Sequence, residues 1–169
     1  MMRLLKKMSK TTCLRVHPEI DNWFGLQART YLSSKGKSAH FASALFYMAD
    51  VIRSILLYSW RDADFVIFVR YLMGTAYLPS PLDEVAYNFF ASVVPKSNNM
   101  FFLDVNPEEA AARIIKNRKQ TEMFESLNAL RNVRAKALSL TRFDKWIIID
   151  SNKPVIEVAS TLRTKLFGD

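Results

Sequence analysis

Apolar residues along this chain fall into two kinds of run. Three are short and unbroken: Phe65-Val66-Ile67-Phe68-Val69, Met100-Phe101-Phe102-Leu103 and Trp146-Ile147-Ile148-Ile149. Runs this length, rich in β-branched and aromatic residues, predict strands buried on both faces. A weaker β-prone stretch, Thr11 to Val16, stops at His17-Pro18, because the residue before a proline is pushed away from helical geometry. Between these runs the apolar positions recur at helical spacing. Asp21 or Asn22 caps a helix through Leu32, with Trp23, Leu26 and Thr30 on one face. Ser38 caps the next, over 39–58. There Phe41, Leu45, Met48, Ile52 and Ile55 recur at spacings of four and three and predict a core stripe.

The second face of that helix carries Ser43, Tyr47, Asp50 and Ser54, with Arg53 at its border. It reads either as a solvated face or as part of a site, since Tyr47, Asp50 and Arg53 are three apart and therefore neighbours. Further helices are expected from Pro81 to Val93, from Pro107 to about Lys119, from Glu122 to Leu140 and from Pro154 to Phe167. Asn106-Pro107-Glu108-Glu109 is a strong helix start, with a capping residue, proline at the first position and acids in the first turn. Leu130, Val133, Ala137 and Leu140 share one face of the helix ending at Leu140. Residues 3–9 look like the tail of a basic helix. Strands alternating with amphipathic helices predict an α/β fold, a three-layer parallel sheet with helices on both faces. One domain over residues 1–169 is expected.

Composition narrows the partners. The chain has 169 residues and a net charge of +8, which suits anionic partners such as nucleotides. Nucleic acid is not expected, because no recognition signature accompanies the charge. Four glycines argue against an all-β fold full of tight turns. One cysteine, Cys13, excludes an internal disulfide and a cysteine zinc site and is consistent with a reducing compartment. His17 and His40 have no metal-ligand spacing and read as surface or packing residues, so no metal site is predicted. The most hydrophobic segment, Phe41 to Trp60, carries Asp50 and Arg53 and reads as a buried helix rather than a membrane span. The basic start lacks an apolar core of signal-peptide length. A cytoplasmic protein is the expectation.

Two features carry candidate chemistry. Arg70 closes the first buried strand, before a loop marked by Gly74 and Pro79. Open α/β sheets bind ligands at the carboxyl ends of their strands, and a guanidinium fork suits phosphate or carboxylate; otherwise it pairs with a nearby acid. The second feature is the basic cluster Arg113, Lys116, Arg118 and Lys119, at a helix end before Gln120-Thr121. Arginines at such a joint can close over transferring phosphates, or form a basic helix end favoured by the dipole.

Together these segments resemble the thymidylate kinase family of nucleoside monophosphate kinases. Val66 to Tyr77 is similar to the family's strand ending in Asp-Arg-Tyr or Asp-Arg-His and its following Ala-Tyr. Phe101-Leu103-Asp104-Val105 with Asn106-Pro107-Glu108 and Arg113 resembles the strand, helix start and first lid arginine. Arg118 with Phe124-Glu125 resembles the lid and the helix after it, and Ile148-Ile149-Asp150 with Val158 the last strand and helix. Gly25 and Arg29 resemble the glycine and arginine after the family's Glu-Pro-Gly turn, here Pro18-Glu19.

The resemblance implies a P-loop kinase-like fold and transfer of the ATP γ-phosphate to dTMP or a related deoxynucleoside monophosphate, with Mg2+ accompanying ATP. Arg70 would grip the acceptor's 5′-phosphate, Tyr47 would stack on the base, Tyr77 would lie beside the deoxyribose, and Arg29 and Arg53 would complete the acceptor site. Arg113 and Arg118 would belong to a short lid, around 113–122, over the ATP phosphates. A homodimer is compatible with it. Val69 stands where the family has an acid, the interval from Arg70 to Tyr77 is one residue short, and Val51 replaces a base-reading arginine, for which Arg53 would substitute. Gly36-Lys37-Ser38 does not complete a phosphate loop, because Tyr31 stands where its first glycine belongs. The family's first central strand and P-loop are therefore expected to be missing from this chain. An N-terminally truncated chain explains this most simply, and a catalytically inactive nucleotide-binding or interaction module is the alternative.

Overall fold

The structure, a computed structural model, describes residues 10–34, 36–117 and 126–168. It is α/β, with every strand in a parallel pair, and it divides into two compact units, Met2–Val94 and Pro95–Asp169.

In the first unit, β1 (Thr12–Val16) pairs with β2 (Phe65–Val69), Thr12 opposite Phe65 and Val16 opposite Val69. Parallel neighbours cannot be joined by a tight turn. The crossover is helical: α1 (Trp23–Leu32) and α2 (Lys37–Tyr58) lie between the two strands. Asn22 caps α1, its side chain accepting from the Gly25 amide at 3.1 Å. Helix α2 starts two residues before the expected 39, at Lys37, after Gly36 at φ 113°, and no side chain caps it. The glycine supplies a backbone turn that Ser38 would have supplied by hydrogen bonding. Beyond β2 the chain forms a 3-10 helix, Leu72–Tyr77, where a loop was expected. Helix α3 (Leu82–Val93) then packs on it, and Leu72, Ala76 and Tyr87 form the solvent-free centre.

Helix α2 is rotated partly away from its apolar stripe, so that its polar face is inside. Met48 and Ile55 of the expected stripe are buried, but Phe41 and Leu45 are 49% and 56% exposed. Ser43, Tyr47, Asp50 and Ser54, the polar face, are all buried. Partners outside the helix decide this. The Ser43 hydroxyl donates to the Ala28 carbonyl of α1 at 3.3 Å, and Asp50 is surrounded by donors. The strand expectation is also corrected in degree: β2 is half-buried and Val69 is exposed.

In the second unit, β3 (Met100–Asp104) pairs in parallel with β4 (Trp146–Asp150), again through a helical crossover. Pro107 opens α4 (Pro107–Asn117), and Ser126 caps α5 (Leu127–Leu140) by accepting from the Ala129 amide. Residues 118–125, including the expected start of this helix at Glu122, lie outside the described residues, as does the basic segment 3–9. Ala137 and Leu140 of α5 and Ile149 of β4 are buried. The Asp104 carboxylate takes both ends of the Arg134 guanidinium, at 2.7 and 2.8 Å. Helix α6 (Val155–Phe167) closes the chain at Gly168, which is left-handed at φ 75°.

The entry to the β1–β2 pair is pinned by one exposed acid. Asp64 accepts from the Thr11 amide and hydroxyl, both at 2.8 Å, and from Lys10 Nζ at 3.0 Å. These bonds, the Thr11 amide first, lower its pKa from 3.8 to about 2. A depressed folded-state pKa stabilises above the unfolded value and is lost as pH falls through the folded one. Asp64→Asn should therefore lower the urea midpoint at neutral pH. The gap to wild type should close between pH 4 and pH 2; a gap that persists at pH 2 would contradict the assignment.

Candidate functional site

The carboxyl ends of β1 and β2 lie side by side. The His17 amide continues the ladder by donating to the Val69 carbonyl at 3.3 Å, so His17 and Arg70 leave adjacent strands at the same level. Arg70 has φ 61°, the one positive value among described residues other than glycine. A side chain in this region costs roughly 1–2 kcal/mol, and such outliers concentrate where a backbone is held for a purpose. The turn directs the chain into the 3-10 helix, and Arg70 itself is exposed. Among the described residues it has no acid partner.

Beneath this edge sits a polar cluster built on Asp50, which the sequence marked as a neighbour of Tyr47 on one helix face without marking His17 as its partner. Asp50 of α2 has no solvent exposure. Its Oδ2 accepts from His17 Nδ1 at 2.9 Å and the Glu19 amide at 2.8 Å, and its Oδ1 from Asn22 Nδ2 at 2.6 Å. Asn22 turns its other side-chain atom to the start of α1. One carboxylate thus joins α2, the turn after β1 and α1. His17, expected at the surface or in packing, is 1% exposed and lies parallel to Phe68 of β2, with Tyr47 edge-on to it at 6.3 Å. Arg15 lies over the Tyr58 ring at 3.8 Å and pairs with Glu19 and, at 2.7 Å, with Asp21. The Asn22 amide and then the Arg15 guanidinium hold the Asp21 carboxyl below its ordinary value. The signals available beforehand were a His-Pro pair at a strand end and a lone aspartate in an apolar helix.

Tyr47 is buried. Burial pushes its phenol well above the ordinary value; the Arg70 charge acts in the opposite direction, while Tyr77 and Asp50 add to the rise. Tyr47, Arg70 and Tyr77 therefore lie within electrostatic reach of one another. The Tyr47 ring occupies the space beside Gly74, where a Cβ would sit 2.6 Å from its hydroxyl oxygen. Gly25 plays a similar part in α1: a Cβ there would lie 2.7 Å from the Glu19 carbonyl carbon.

Of the other expected residues, Tyr77 is 37% exposed in the same 3-10 helix. Arg29 is exposed and donates from Nε to the Pro18 carbonyl at 3.3 Å. Arg53 faces Asp21 at 3.8 Å and lines an apolar groove with Phe24, Ala49, Ile52, Leu56 and Leu57. In the second unit, Arg113 Nε bonds Glu109 at 2.7 Å and its Nη2 reaches the Asn152 carbonyl at 3.4 Å. Arg118 lies outside the described residues.

A family model for thymidylate kinase matches residues 1–162. The chain belongs to the thymidylate kinase family. A probable thymidylate kinase from Pyrobaculum calidifontis is 37% identical over 103 residues, 59% of this chain and 52% of that protein. The matched region spans about half the length of this relative. A solved thymidylate kinase from Candida albicans shares the fold, with a TM-score of 0.66 over 98% of this chain and 83% of that one, at 17% identity. Thymidylate kinases as a family act on dTMP and ATP with Mg2+. Among the described residues, no three acidic, histidine or cysteine side chains converge on a metal position.

The contact between Tyr47 and Gly74 makes a local prediction. Gly74→Ala should cost about 1–3 kcal/mol through overpacking. In a Tyr47→Ala background, where the ring is gone, the same change should cost little. Chemical denaturation of the four proteins in this cycle gives the coupling, and equal costs in both backgrounds would refute the contact.

Proposed function

We propose that this chain carries the acceptor side of a thymidylate kinase-like phosphotransferase. In that reaction an oxygen of the acceptor's 5′-phosphate attacks the γ-phosphorus of Mg-ATP. The bond from that phosphorus to the bridging oxygen of ADP breaks, and ADP leaves. The acceptor is dTMP or a related deoxynucleoside monophosphate. The observation that carries the reading is Arg70: an exposed guanidinium, without an acid partner among the described residues, held in a left-handed turn where two parallel strands end. Two anions approach each other in this chemistry, so positioned positive charge does most of the work. Arg70 binds the acceptor phosphate and Tyr77 flanks its sugar. Tyr47 forms the aromatic wall on the base side, and Arg29 and Arg53 supply charge at its margin. Arg113 and Arg118 serve the ATP phosphates as a lid.

A second reading is favoured by one sequence fact. The chain contains no Gly-x-x-x-x-Gly-Lys-Ser/Thr segment, whose backbone amides and lysine cradle donor phosphates in such enzymes. In this reading the chain binds nucleotide without turnover. Both readings place acceptor binding at Arg70. Calorimetry should therefore detect dTMP binding to the chain, weakened by Arg70→Ala about 10- to 100-fold, the equivalent of a lost charge-assisted bond. Unchanged affinity in Arg70→Ala would refute the assignment. Phosphorylation of dTMP by the same sample separates the two readings.

The reading includes a homodimer and a cytoplasmic location. Phe41, Leu45 and Leu56 leave an apolar stripe on α2, beside a groove of about 560 Å³, and a row this size on one helix suits an isologous contact. Light scattering should report a dimer that Leu45→Glu splits into monomers; a wild-type monomer would refute it. The segment Phe41–Tyr58 is long and apolar enough to cross a membrane by length and composition. Its Asp50 nevertheless is buried within the protein with both oxygens on protein partners, which supports a helix of a water-soluble protein.

A further inference from the structure

We propose that Asp50 is a positioning residue of the acceptor pocket, acting through His17 and Asn22 rather than by touching the ligand. The inference rests on the acceptor-site reading of Arg70, Tyr47 and Tyr77. Asp50 is fully buried, so no nucleotide reaches it. Its carboxylate is the common acceptor for three groups from one turn, His17 Nδ1, the Glu19 amide and Asn22 Nδ2, at 2.9, 2.8 and 2.6 Å. Both oxygens are engaged, Oδ2 by His17 Nδ1 and the Glu19 amide and Oδ1 by Asn22 Nδ2.

Each bond leads to the pocket by a separate route. The Nδ1 contact orients the imidazole, which fills the space between Phe68 of β2 and the edge of Tyr47. Tyr47 in turn lies against Gly74, four residues beyond Arg70. The Asn22 contact leaves the opposite end of that amide on the Gly25 amide, so the cap of α1 depends on which way Asn22 faces. His17 Nε2 and the Tyr47 hydroxyl are buried and have no hydrogen-bond partner among the described residues. Neither ring is therefore held by its own outer polar atom. The inner bond to Asp50 and the packing hold them.

A hydrogen-bond exchange tests this. In Asp50→Asn, the amide oxygen can keep His17 and the Glu19 amide, but its NH2 then faces the NH2 of Asn22. If Asn22 flips to relieve the clash, the cap at Gly25 is lost. The double variant Asp50→Asn with Asn22→Asp restores the complement: the new amide donates to the new carboxylate, whose second oxygen accepts from Gly25. The 3.1 Å bond from Asn22 to Asp21 would become a contact between two carboxylate oxygens, so all three proteins are compared in an Asp21→Asn background, whose amide can donate back.

Two readouts are taken on wild type, the single variant and the double variant. The first is the Gly74 amide resonance, which reports the Tyr47 ring lying against it. The second is dTMP affinity by calorimetry. Asp50→Asn should displace the Gly74 resonance and weaken dTMP binding roughly tenfold, as loss of a supporting shell commonly does. The double variant should bring both back near wild type. A folded Asp50→Asn protein with unchanged Gly74 and unchanged affinity would overturn the proposal. So would a double variant that regains thermal stability while Gly74 stays displaced. If the single variant does not fold, the double variant is compared directly with wild type, and a displaced Gly74 there overturns it. Wild-type protein that takes up no dTMP would instead count against the acceptor-site reading, and the Gly74 comparison would still decide the role of Asp50.

Discussion

A carboxylate removed from water has to be matched by donors, because an unmatched buried charge costs several kcal/mol. In the Met2–Val94 unit this constraint falls on Asp50, and much of the local architecture follows from meeting it. The donors come from three places in one short turn: an imidazole, a backbone amide and a side-chain amide. To deliver them, the chain after β1 has to fold back over α2, and Asn22 has to end that turn as the cap of α1. Gly25 makes room for the turn, since any side chain there would collide with the Glu19 backbone. The aspartate thus sets the packing of two helices against one strand end.

The same requirement explains why α2 is turned polar-side in. A helix usually buries its apolar stripe because area removed from water is the dominant favourable term. Here Ser43, Tyr47, Asp50 and Ser54 are inside, and Phe41, Leu45 and Leu56 are outside. Both faces of the helix contain enough apolar surface to pack. The face with a charge is stable inside only where donors await it, and β1 and its turn provide them. The outward stripe of Phe41, Leu45 and Leu56 is left over.

Arg70 and Asp50 are complementary parts of one design. Arg70 stands at the exposed edge with its charge unmatched by an acid among the described residues, while Asp50, below it, is fully matched. Tyr47 lies between these environments, buried by α2 and the 3-10 helix and acted on by both charges. In the Pro95–Asp169 unit the strand-end acid Asp104, which is half-buried, is instead closed by Arg134 in a two-point pair.

Local pattern and composition by themselves determined a good deal. The strands Phe65–Val69, Met100–Asp104 and Trp146–Asp150, the cap at Asn22, the α/β class and the kinship to thymidylate kinases were all legible. Each rests on short-range signals: β-branched runs, capping side chains and ordered motifs. Arg70 was legible as a strand-end guanidinium for the same reason. The tertiary structure alone decided which face of α2 is inside, that His17 is a core partner of Asp50, and that Arg53 turns toward Asp21 instead of Tyr47. Those outcomes depend on where partners 28 to 33 residues away in the chain come to rest. Periodicity describes what a helix can bury; only long-range partners determine which of its charges burial can tolerate.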